Sequence, residues 1–234
     1  MNSSSSGGTI ASMLNMVDEV KRDRSVLKVL GDPYSLYPKG EARGQDGGDQ
    51  KGVGRDKDLG MWTGPFVMAA VNAKVVRRSN ALLDFAYGRE FRYDEAMTTG
   101  KGMKGLIGAT VVSAGMAAML PAVAIGPTRR LIERKVPKPG EGPNRAEREA
   151  GYFVCRLVGK GVGAGGEPLQ LLGRVEGTQD PGYGSTAKML SQSALCLAFD
   201  ELDSPGGVLT PASAMGSTLL GRLRDAGMTF SVTE

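Results

Sequence analysis

Two short clusters in this sequence have the composition to grip an anion. The first is the turn Asp180–Lys188, DPGYGSTAK. Pro181, Gly182 and Gly184 set a tight turn, Ser185 or Thr186 stands where a helix N-cap belongs, and Lys188 lies just inside that helix. Free amides at such an N-terminus, aided by the helix dipole and a lysine, suit a phosphate or carboxylate. An ordinary capped helix with a solvated lysine uses the same residues. The second cluster is Arg77-Arg78-Ser79-Asn80. On a helix, Arg77 and Asn80 share a face and Arg78 points about 100° away. Such a trio clamps an oxyanion or pairs with carboxylates across a packing contact. Candidate anion or substrate contacts are therefore Gly182, Gly184, Ser185, Thr186, Lys188, Arg77, Arg78 and Asn80, with no catalytic residue singled out.

Other chemistry is excluded. The chain has no histidine, which removes a Ser-His-Asp triad, a Cys-His pair and every His-bearing zinc site. No metal or cofactor ligand set is expected within the chain. Tyr183 and Lys188 lack the one-turn spacing of a reductase Tyr/Lys pair. Gly161–Gly166 (GVGAGG) satisfies G-x-G-x-x-G, but Glu167-Pro168 leads into a strand-like run where a dinucleotide site needs a helix. It reads as a hairpin loop. Cys155 and Cys196 fall in strand and helix patterns and suit a reduced intracellular protein. The formal charge of +4, without a basic stripe interleaved with aromatics, argues against a nucleic-acid partner.

The elements that would position these residues follow from periodicity. Helical spacing marks 9–22, with a weaker continuation at 25–30 stopped by Asp32-Pro33, then 72–85, 185–202 and 213–226. Strand patterns mark 65–70, 89–97, 151–158, 169–176 and 228–232. The segment 39–60 is rich in glycine and charge and nearly free of apolar residues, so a disordered loop is expected. Residues 105–128 carry no charge, yet glycines, alanines and Pro121 dilute the run. Lys101 and Lys104 precede it, and Arg129, Arg130, Arg134 and Lys135 follow. A partner-covered helix, an element lying on anionic lipid and a membrane span all stay open. Strands and helices mix without βαβ alternation, which predicts an α+β fold with a mixed or antiparallel sheet and packed helices, as one domain over residues 1–234.

Four blocks in register, SGGTIASML (6–14), WTGPFVMAAVNAKVVRRSNALL (62–83), DPGYGSTAKMLSQSALCLAFD (180–200) and GGVLTPASAMGSTLLGRLRDAGMTFSV (206–232), resemble the saccharopine dehydrogenase-like oxidoreductases. That family includes the bacterial trans-acting enoyl reductases. In it, these blocks follow an N-terminal Rossmann domain, which this sequence is not expected to supply. The resemblance implies the C-terminal substrate or dimerisation part of an NAD(P)-dependent reductase of lipid or glycolipid metabolism, not catalytic alone. It also implies an intracellular place on lipid droplets, mitochondria or membranes. The partners implied are a lipid surface, a Rossmann-domain polypeptide or a second copy. The rival expectation is a non-enzymatic lipid-droplet or membrane component that has lost its catalytic half.

Overall fold

Small residues at Gly64, Gly105, Gly108 and Ala109 decide how the first sheet is covered. The computed structural model describes residues 7–135 and 142–233. Helices α1 (Gly7–Arg22) and α2 (Ser25–Gly31) come first, followed by strands β1 (Gly54–Asp56) and β2 (Met61–Pro65). Helix α3 (Ala69–Leu82) leads to β3 (Ala96–Gly100), then α4 (Gly102–Ala124) and α5 (Gly126–Lys135). β1, β2 and β3 form an antiparallel sheet in that order. Helix α4 lies against it so closely that a Cβ on Gly64 would come within 3.0 Å of Val112 and one on Gly105 within 2.3 Å of the Gly100 carbonyl. Ala109 is fully buried in that contact.

A second unit lies within residues 142–233, although composition alone suggests one domain throughout. It holds α6 (Arg145–Glu149), β4 (Phe153–Val162), β5 (Pro168–Gly177), α7 (Gly184–Phe199), α8 (Pro211–Asp225) and β6 (Thr229–Thr233). The strands form an antiparallel sheet in the order β4-β5-β6. Its core gathers Cys196 from α7, Met215, Leu219 and Leu223 from α8, and Met228, with Phe153 and Phe230 packed against them. Thr210 and Ser213 cap α8 reciprocally, with Pro211 in the first turn. The expected α+β class with antiparallel sheets is what the described residues form.

Several local expectations need correction. Strand β2 ends at Pro65, so 65–70 is not a strand and the following helix begins at Ala69. The run 89–95 makes no ladder. The Tyr93 amide and carbonyl are instead taken by Asp46 and Arg77, and the strand starts at Ala96. Gly159 and Gly161 belong to β4, whose ladder with β5 continues to Val162↔Pro168, leaving a short turn where a long loop is expected. Nor is 39–60 without structure: Thr63 exchanges hydrogen bonds with Gln50, the Asp46 side chain is 5% exposed, and residues 54–56 form β1.

Candidate functional site

The turn before α7 is built from the inside out. Asp180 is 1% exposed, and one carboxylate oxygen accepts from the Tyr183 N–H at 2.8 Å. Its backbone accepts from the Ser185 N–H and donates to the Arg148 carbonyl, both at 2.9 Å. Gly151 allows this approach, since a Cβ there would stand 2.4 Å from the Asp180 Cα. The hydroxyls expected to cap α7 turn back instead. Ser185, 2% exposed, donates to the Gln179 carbonyl at 2.8 Å, and Thr186 donates to the Pro181 carbonyl at 2.5 Å. Tyr183 occupies the N-cap position, and no side chain caps the helix. Lys188 donates at 2.7 Å to the carbonyl of Ala226, which ends α8. That position suits a cation, because the α8 carbonyls there lack helical partners.

Lys188 therefore ties two helices together within its unit. Lys188→Ala should lower unfolding stability by about 1 kcal/mol through loss of this charged hydrogen bond. Urea denaturation followed by circular dichroism checks it. An unchanged midpoint would release Lys188 from this structural role.

The second cluster is also internal. Arg77, 4% exposed, pairs with Asp46 at 2.7 Å and donates to the carbonyls of Pro33 at 3.3 Å and Tyr93 at 2.8 Å. Its guanidinium lies 5.7 Å from the Tyr34 ring centroid. Burial raises the Tyr34 phenol above its ordinary pKa. One turn away, Lys74 donates to the carbonyls of Val29 and Leu30 at the end of α2, and burial lowers its pKa. Asn80 bridges a strained bend: its amide donates to the Gly88 carbonyl and its side-chain oxygen accepts from the Tyr87 N–H, both at 2.9 Å. Asp84 and Phe85 in that bend have φ of 50° and 59°, a left-handed conformation these residues rarely adopt. Arg78 turns outward, as its helical angle predicts, and donates to the Leu36 carbonyl. The structure thus joins Arg77 and Asn80 to packing partners.

A glycine turn that the sequence reading passes over lies elsewhere. Gly100-Lys-Gly102-Met-Lys-Gly105 is a second G-x-G-x-x-G, and unlike 161–166 it follows a strand and opens a long helix. Gly100 and Gly102 have φ of 106° and 61°, and Gly105 packs directly on the Gly100 backbone. The signal was the motif itself, at the head of the uncharged run. Residues 161–166, by contrast, close the β4–β5 hairpin through the Gly163 N–H to the Glu167 carbonyl at 2.8 Å. A strand–glycine turn–helix unit therefore exists, contrary to expectation. Among the described residues β3 pairs only antiparallel, and none of them forms the neighbouring parallel strand that carries the acidic ribose contact in a dinucleotide site. An NADPH titration watched by Trp62 fluorescence should be flat. The indole Cδ1 is 3.1 Å from where a Gly105 Cβ would stand, so Trp62 would report binding at this turn. Saturable quenching at micromolar NADPH would assign the cofactor to it.

Helix α4 itself has two faces. Gly105 and Ala109 meet the sheet, whereas Met103, Ile107 and Val111, spaced by four, are 70%, 57% and 65% exposed. It is long and apolar enough to cross a membrane by length and composition, but its inner face is occupied by β2 and β3. Lys101, Lys104, Arg130 and Arg134 are exposed near its ends. Arg129 pairs with Asp18 through both terminal guanidinium nitrogens and so is a tether to α1. Lys135 lies outside the described side chains.

Over 98% of its length the chain is 39% identical to a protein of Mycobacterium tuberculosis provisionally named a trans-acting enoyl reductase. Trans-acting enoyl reductases of Mycobacterium bovis and Mycobacterium ulcerans match at 37% and 35%, again over 98% of the chain. The chain spans 56% of the length of each of these relatives. No family model and no solved structure matches it. Its homologues' names support an oxidoreductase-related family.

Proposed function

We propose that this chain is the substrate-side part of an enoyl reductase working on lipid intermediates at an intracellular lipid surface. NAD(P) would be held by a nucleotide-binding unit outside this sequence. The observation that carries the reading is the similarity to proteins named enoyl reductases along nearly the whole chain. When bound, the nicotinamide supplies a hydride to the enoyl double bond. The residues of this chain bind and orient the acyl group and screen it from water. A saccharopine dehydrogenase-like ancestry accounts for both the four sequence blocks and the α+β build.

The lipid surface comes from α4. Its outer stripe is apolar, its inner face is already packed, and exposed cations stand near both ends. An interfacial helix buries such a stripe at the headgroup boundary while lysines and arginines meet anionic lipid. A spanning helix would have to abandon the sheet. Droplet, mitochondrial and other intracellular membranes all offer this chemistry.

The test combines this chain with the part of a mycobacterial relative that it does not span. NADPH oxidation is measured on an enoyl thioester. Reduction by the mixture, and by neither part alone, is the expected result. A stable complex that reduces nothing would favour the second reading, a non-catalytic lipid-surface component, which the same α4 face equally supports.

A further inference from the structure

Between α7 and α8, where residues 200–210 cross from one helix to the other, lies a groove of about 350 Å3. That is near the low end of small-molecule sites, about 300–1,000 Å3. Leu197, Leu209, Ala214 and Met215 line it with apolar side chains, and Ser204 and Gly207 belong to the same lining. Met215 belongs to the buried core, so the floor is fixed, while Leu197 is 60% exposed and presents apolar surface to water. Gly207 has φ of 110°, and a Cβ there would meet nothing within 4 Å. Glycine is needed at this position for conformation, and the space beside it is open.

The lining also selects the kind of ligand. No charged side chain is among the described residues that line the groove. A carboxylate or phosphate entering it would lose water without gaining a cation. The hydroxyl of Thr210 is engaged with Ser213 in the α8 cap. Ser204 makes no hydrogen bond among the described residues and can donate to a neutral acceptor. An apolar trough with one uncharged donor free in its lining matches an aliphatic chain ending in an ester or thioester carbonyl.

We propose that this groove holds the acyl chain of a neutral ester or thioester, with Ser204 at the carbonyl end. The identity of the chain rests on the enoyl reductase reading. Its place rests on the groove alone.

Calorimetric titration of the full chain with the trans-2-decenoyl thioester of N-acetylcysteamine tests it. Leu197→Asp should weaken binding roughly tenfold or more, the fold-change that about 1.4 kcal/mol produces. Leu190→Asp, on the same helix, 69% exposed and outside the groove, should leave it within about twofold. Decanoate should bind at least about tenfold more weakly than the thioester. Absent thioester binding, or binding indifferent to Leu197→Asp, would overturn the proposal. Equal binding of decanoate would overturn the neutral head group. A dimer lost on Leu197→Asp, without thioester binding, would give the groove to a second copy. The enoyl reductase reading fails separately: thioester binding sensitive to Leu197→Asp, with no reduction in the two-part mixture, keeps the groove and removes the reductase. Reduction whose KM ignores Leu197→Asp does the reverse.

Discussion

Aspartate at Met103, Ile107 and Val111 together should release the chain from anionic vesicles and lower its partition constant at least about 100-fold. Each of these side chains is more than half exposed, so the substitutions remove little from the protein interior. Full burial of one such side chain is worth roughly 1.5–3 kcal/mol. Partial burial of three at a headgroup boundary reaches about 2.8 kcal/mol, the equivalent of 100-fold. The folded state should keep its circular dichroism spectrum and thermal midpoint. Co-flotation with phosphatidylserine-containing vesicles reads the result, and raising the salt should weaken the binding of the unmodified chain by screening its cations. Val112→Asp supplies the contrast. Val112 meets Gly64 on the packed face, so a charge there should damage folding before it alters partition. A chain that never co-floats with anionic vesicles would remove α4 as a lipid-docking element.

That contrast also shows where sequence periodicity stops being informative. An uncharged run of alanine, glycine and valine has no polar face to mark its orientation, so the run 105–128 left three coverings open. The answer lay in steric fit, since Gly105, Gly108 and Ala109 let the backbone of α4 reach β2 and β3. Amphipathic segments were more legible. The helices expected at 9–22, 185–202 and 213–226 appear as α1, α7 and α8 with ends shifted by a few residues, and 228–232 appears as β6. Strand patterns read poorly wherever backbone groups were claimed by buried side chains, as at Tyr93. The candidate contacts suffered from the same limit. Arg77, Asn80, Ser185 and Lys188 have the chemistry to bind an anion, and each spends it on a carboxylate or carbonyl of the chain itself. Composition names a donor. It does not say which acceptor is near.

Asp46 shows how much can hang on one residue of a glycine-rich segment, and Asp46→Ala should cost about 3–5 kcal/mol of stability. The two side chains of the Arg77–Asp46 pair are 4% and 5% exposed, so the ions are removed from water together. Asp46 also accepts from the Tyr93 N–H at 2.8 Å and from the Tyr34 hydroxyl, while its own N–H donates to that hydroxyl oxygen. Removing the carboxylate leaves a buried guanidinium whose remaining acceptors, the carbonyls of Pro33 and Tyr93, carry no charge. The loss therefore exceeds the worth of the pair, because an uncompensated buried cation remains behind. Arg77→Met, which removes the cation but keeps much of the volume, should also destabilise by stranding the carboxylate. The double variant Asp46→Ala with Arg77→Met should recover part of the loss, since neither unpaired charge is then buried. Urea unfolding of the three variants decides it. If Asp46→Ala shifts the midpoint no more than a surface substitution, about 0.5 kcal/mol, then the segment 39–53 is not held on α3 and behaves as the disordered loop that its composition suggests.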